Sequence, residues 1–149
     1  MRFSLQEQYA VCGVFDLAYN GRDEPVRIGL ISERQAIPTR YLEQIFQRLR
    51  RAEIVLSKRG PGGGYSLARP PAEITVREVI EAVEGSLAES LEMAAPGEGD
   101  GSLRPDFLWG RLAERFADAL AALSFEDLCR EAARSDVKRA EPEPPMYFI

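Results

Sequence analysis

The chain reads as a mainly helical protein carrying one small β-hairpin. Three observations lead there. Apolar residues recur at three- and four-residue intervals over most of the 149 positions, the mark of helices with one buried face. The pairs Ser4 with Glu7 and Thr75 with Glu78 have the spacing of capping boxes, which start helices. A run of consecutive glycines, Gly62-Gly63-Gly64, separates two short strand-like stretches.

In order, Ser4 and Glu7 start a first helix near residue 5. Val11, Val14, Phe15, Ala18 and Tyr19 form its apolar face, and Asn20-Gly21 ends it. A polar loop, Arg22-Asp23-Glu24-Pro25, leads to a short second helix over 27–36. That helix holds Gly29 at a cost of about 1 kcal/mol relative to Ala. Ala36-Ile37-Pro38-Thr39 turns the chain into a third helix over 38–51, with Pro38 at its first position, where no N–H is needed. Tyr41, Leu42, Ile45, Phe46 and Leu49 form one face of it. Thr39, Arg40, Glu43, Gln47 and Arg50 lie toward the other. Ile54-Val55-Leu56-Ser57 and Tyr65-Ser66-Leu67 are strand signals flanking the glycine tip. Thr75 and Glu78 then open a helix through Val76, Val79, Ile80 and Val83, which stops at Glu84-Gly85.

Residues 86–105 are small, acidic and rich in Gly and Pro, and read as a flexible loop. A long helix follows, in which Leu108, Leu112, Phe116, Leu120 and Leu123 approach a four-residue repeat. A stripe of that kind packs on the core or on a partner helix. Ser124 and Asp127 cap a last helix to about Ser135. Residues 138–145 are charged and proline-rich, yet the sequence then runs Met146-Tyr147-Phe148-Ile149. Four apolar residues on a polar tail need a docking site.

Composition narrows the function. No run of about 18 apolar residues offers a membrane span, and the N-terminal residues lack a secretory core, so the expected location is the cytoplasm. With no histidine, Ser-His or Cys-His nucleophile pairs are impossible within the chain, and an enzyme is not expected. Cys12 and Cys129 are far apart and form no CxxC pair. They read as buried free thiols, with no metal site and no cofactor expected. The net charge is −5, but residues 34–69 carry eight Lys/Arg against only Glu43 and Glu53. A basic stripe on an acidic body is the footprint of a surface presented to phosphates.

Helix and hairpin together make a winged helix-turn-helix, with a long C-terminal dimerisation helix. The expected ligand is double-stranded DNA. Thr39, Arg40, Tyr41, Glu43 and Gln44 lie on the first turns of the groove helix, where side chains reach base edges. Arg59, Gly60, Pro61, Gly62 and Gly63 form the wing tip, which delivers an arginine to the minor groove or the backbone. The glycine run is no phosphate-binding loop, because no Gly-Lys-Ser/Thr ends it. The domain boundaries expected are 1–85 for DNA binding, 86–105 for the loop, 106–136 for dimerisation and C-terminal helices, and 137–149 for the tail.

The pattern resembles the Rrf-two family of bacterial transcriptional regulators. The resemblance is carried by Ser32-Glu33-Arg34-Gln35, Tyr41-Leu42-Glu43-Gln44, Leu49-Arg50, Arg59 through Tyr65, Leu67 and Val83-Glu84-Gly85. It implies a homodimer on a pseudo-palindromic operator, paired through the long helix with Leu108, Leu112, Phe116 and Leu120. Cluster-binding members carry three cysteines in the loop after Glu-Gly. This chain has none there, which implies the cluster-free branch of cysteine-metabolism repressors. Phe107-Leu108-Trp109, Ser124 through Leu128, and the tail are similar to that branch. The resemblance then implies cysteine synthase (O-acetylserine sulfhydrylase) as partner, bound through Met146, Tyr147, Phe148 and Ile149. Two other readings are an interaction module that tunes the synthase while binding DNA weakly, and a thiol redox sensor using Cys12 or Cys129.

Overall fold

A computed structural model describes residues 2–21, 24–91 and 103–141. The expected partner segment Met146–Ile149 and most of the 86–105 loop lie outside these described residues. The elements are α1 (Leu5–Asn20), α2 (Ile28–Gln35), α3 (Thr39–Arg51), β1 (Val55–Lys58), β2 (Gly64–Leu67), a 3-10 turn (Pro71–Glu73), α4 (Val76–Glu84), α5 (Leu87–Ser90), α6 (Phe107–Ala121) and α7 (Phe125–Arg134). This is a winged helix-turn-helix with three further helices. Among the described residues, no helix is long and apolar enough to cross a membrane.

Helix starts follow local chemistry. Ser4, Thr75 and Ser124 each accept from the backbone three residues on, and Glu7, Glu78 and Asp127 reach back to the cap. Each box satisfies two amide donors that the helix leaves unpaired. Pro38 differs from expectation: it is the cap rather than the first helical residue, and its carbonyl accepts from Tyr41 and Leu42. Residues 86–105 also depart from a plain loop, because Ser86 caps the short α5 and Leu87 is buried.

One apolar core runs through the molecule. Val14 and Leu17 of α1 meet Ile31 of α2, Leu42, Phe46 and Leu49 of α3, and Val79 and Ile80 of α4. Phe125 of α7 is fully buried in the same cluster. The backbone joins there as well, Val76 N–H donating to Leu123 O and Phe125 N–H to Ile74 O, both at 2.9 Å. The chain after α4 thus adds Leu87 of α5 and Leu120 of α6 to this core before Phe125 of α7 completes it.

The four-residue stripe on α6 does not stay on one side. Leu108 and Leu112 are exposed, Phe116 is half-buried and Leu120 is buried. Each four-residue step advances about 40° beyond a full turn at 3.6 residues per turn. Three steps therefore carry the stripe from solvent into the core, where Ala113 and Ala117 join Leu120.

Asp16 of α1 is wholly buried. Arg34 Nη2 lies 3.0 Å from its Oδ1, in an ion pair not aligned as a hydrogen bond. Gln35 Nε2 donates to Oδ2 at 3.0 Å and Asn20 Nδ2 at 3.3 Å. A carboxylate out of water needs such company. Asp16→Ala strands Arg34 and should remove about 3 kcal/mol of stability in urea unfolding. Gln35→Ala, which removes one hydrogen bond to a charged group, should cost about 2 kcal/mol.

Candidate nucleic-acid interface

The end of α2 sets the start of α3. Ala36 takes a left-handed conformation, φ 54°, and stops α2. Ser32 brackets the next residue: its carbonyl accepts from Ile37 N–H at 3.0 Å, and its hydroxyl donates to the Ile37 carbonyl. The same hydroxyl lies 2.9 Å from Thr39 Oγ1. Thr39 is therefore exposed but tied to α2. Buried Ile37 anchors the turn from below.

On α3, Leu42, Ile45, Phe46 and Leu49 face the core, while Arg40, Glu43, Gln44, Gln47, Arg50 and Arg51 are exposed. Tyr41 departs from the apolar face assigned to it, since it remains 39% exposed. Its ring packs against Tyr9 of α1 with centroids 6.5 Å apart. Arg40 donates from Nη2 to the Tyr41 hydroxyl at 2.9 Å, with its guanidinium carbon 4.8 Å from the ring centroid. Glu43 and Gln44 make no hydrogen bond or ion pair with another described residue.

The wing stands beside this face. Val55 pairs with Leu67 and Lys58 with Gly64 across the antiparallel β1–β2 pair. Val26, in the loop before α2, adds a third edge by exchanging two 2.8 Å hydrogen bonds with Tyr65. Gly64 lies so close to Val26 that a Cβ would run into its carbonyl. At the tip Gly60 (φ 87°) and Gly62 (φ 73°) are left-handed, and Gly63 N–H closes the turn on Gly60 O at 2.9 Å. That backbone suits glycine and few other residues. Arg59 and Pro61 are exposed, and Arg59 has no partner among the described residues. Tyr65 packs edge-on against Phe46 at 4.8 Å, joining wing to α3.

The basic stripe is smaller than its count in the sequence. Arg34 serves Asp16, Arg48 donates to Gln6 and to the Val83 carbonyl, and Arg69 pairs with Glu78 at 3.2 Å. Arg40, Arg50, Arg51, Lys58 and Arg59 remain exposed on α3 and the wing, and Arg48 is exposed on α3 although its guanidinium is engaged. Arg50 reaches Ser57 at 3.2 Å and bridges the two. Tyr9, Val26 and Asp16 could not be read as supports from the sequence, because each acts through a residue distant along the chain.

A second surface lies on α6. Phe107, Leu108, Trp109 and Leu112 are all exposed. Phe3 extends the apolar surface toward the N-terminus, its ring 6.0 Å from that of Phe116. Exposed apolar side chains grouped on one helix are the kind of surface that marks a protein contact.

Comparison with known proteins identifies the architecture. Residues 3–131 match the family model Rrf2, described as an iron-dependent transcriptional regulator. The HTH-type transcriptional regulator IscR of Xenorhabdus nematophila is 40% identical over 92% of this chain and 84% of its own. The structure of CymR, the global cysteine regulator of B. subtilis, superposes with TM-score 0.75 at 27% identity, covering 88% of this chain and 98% of that one. T. potens IscR superposes equally well, with TM-score 0.75 at 29% identity and 94% of both chains covered. These relatives and neighbours are regulators rather than enzymes.

The family description implies iron, but the donors of this chain do not fit a cysteine-ligated cluster. Cys12 and Cys129 are its only cysteines, they sit on α1 and α7 outside the 86–105 loop, and there is no histidine. Among the described residues, no three His, Cys, Asp or Glu side chains are grouped to hold a metal ion. Both thiols are half-buried rather than buried. Burial pushes both up from the ordinary thiol value; at Cys129, Arg139 opposes the shift and Glu126 adds to it. Both should therefore be protonated at pH 7, and only a thiolate is strongly nucleophilic. Alkylation by iodoacetamide should be slower than for a free thiol at pH 7, and should speed up only as pH rises beyond about 8.5. Mass spectrometry of the two peptides measures it.

Proposed function

We propose that this chain, which belongs to the Rrf2 family of transcriptional regulators, is a homodimer that reads a pseudo-palindromic operator with α3 and clamps it with the wing. One observation carries the reading: Arg40, Glu43 and Gln44 are exposed on the first turns of α3, and Arg59 is exposed on the wing with no partner among the described residues. A helix of that width fits the major groove, and its early residues meet base edges. The exposed patch of Leu108, Leu112, Phe107 and Trp109 supports pairing through α6. Leu120, which faces the core, supports the packing of α6 on its own subunit instead.

The finer reading is a repressor of cysteine and sulfur metabolism genes that acts with cysteine synthase held by Met146–Ile149. It is supported by the likeness to CymR, a global cysteine regulator, and by four apolar residues after a charged, proline-rich stretch. In that reading, abundant sulfur lets the synthase bind the tail and the complex hold DNA, and O-acetylserine competes for the synthase.

Two measurements test these levels separately. On an operator selected from random sequence, Arg59→Ala should weaken binding about tenfold and lower the salt slope by about one unit. Undiminished affinity would remove the wing from the interface. In calorimetry with cysteine synthase from the same organism, binding should be lost when the chain is shortened at Phe148 and weakened by O-acetylserine. No heat with either form would leave a DNA-binding regulator whose signal is not the synthase.

A further inference from the structure

We infer that Tyr41 is a positioning residue that fixes Arg40 as a guanine-reading side chain, so that the stack Tyr9–Tyr41–Arg40 sets one base of the operator. The inference rests on α3 being the groove helix and deepens that reading. Neighbouring residues on a helix do not normally face each other. Here the Arg40 side chain nevertheless lies along Tyr41, with a hydrogen bond to its hydroxyl at 2.9 Å and its guanidinium 4.8 Å from the ring centre. The ring is held in turn by Tyr9, 6.5 Å away on α1. An arginine on an exposed first turn would otherwise sample many rotamers and lose that freedom on binding.

The choice of partner is informative. Glu43 stands three residues on, at a spacing suited to an ion pair, yet no Arg40–Glu43 pair forms. No carboxylate among the described residues competes for its donors. With one N–H engaged by Tyr41, four donors remain, enough for the bidentate contact to guanine O6 and N7. Arg40 is also the second residue of α3, where recognition helices meet base edges. Arg50 and Arg51, at the far end of α3, and Lys58 and Arg59, on the wing, are the side chains left for phosphates.

The test is an affinity profile over operators in which each base pair of a half-site is varied in turn, at fixed salt. Wild-type protein should prefer guanine at one position by about tenfold or more, and 7-deazaguanine there should lose most of that preference. Arg40→Ala should abolish the preference. Tyr41→Phe keeps the ring and should fold with an unchanged melting temperature. It should lower the preference at that position by about three- to tenfold, leave the other positions and the salt slope unaltered, and add nothing to Arg40→Ala. Full preference in Tyr41→Phe would overturn the positioning role. Uniform weakening by Arg40→Ala across all operators would make Arg40 a phosphate contact and overturn the inference. No sequence-dependent binding by the wild type would overturn the groove assignment of α3 itself.

Discussion

The arrangement of this protein depends on a carboxylate taken out of water. Asp16 lies on the buried side of the first helix, and the groups that compensate it come mainly from the end of α2. An ion in the interior tolerates little displacement of its partners, because separation in a low-dielectric medium is costly. Arg34 and Gln35 are therefore fixed relative to α1, and with them the last turn of α2. The left-handed Ala36 and the Ser32 bracket around Ile37 follow at once. The direction in which α3 leaves is thus set from inside the protein. Asn20, which also contacts Asp16, accepts from Ala140 N–H at 2.7 Å, so the segment after α7 is anchored to the same node.

The wing is held with similar economy. A two-stranded hairpin alone is marginal in water. Here Val26 pairs with Tyr65 on one side, and Phe46 of α3 packs against the same tyrosine. Tyr65 is the shared contact of loop, wing and α3. The glycine tip extends beyond these contacts, and Arg59 beside it is exposed with no partner among the described residues.

Much of this was legible in the sequence, for physical reasons that differ by element. The capping boxes at Ser4, Thr75 and Ser124 could be read because a cap is chemistry among four neighbouring residues. The buried face of α3 could be read because its residues share one core. Asp16 could not, since a lone acid in a helical pattern reads as solvated until a partner 19 positions away is placed beside it. Tyr41 was misread because it sits at the edge of the apolar stripe, where periodicity cannot tell burial from a ring lying along the surface. The α6 stripe misled through its own period, since a four-residue repeat winds around a 3.6-residue helix. The basic count overstated the exposed patch, because formal charge does not distinguish Arg34, enclosed beside Asp16, from Arg51, which faces solvent.

The return of the chain to its starting core bears on how this protein can be divided. Phe125 fills the interior beside Ile74, and the strand-like bridge between Thr75 and Ser124 closes the circuit. A fragment cut after α4 would keep every residue of the helix, turn and wing, yet would open a hole the size of a phenylalanine ring beneath them. The smallest autonomous unit is therefore not the sequence segment that contains the helix, turn and wing. It is that segment together with α5, α6 and α7, because Leu87, Leu120 and Phe125 all belong to the one buried cluster.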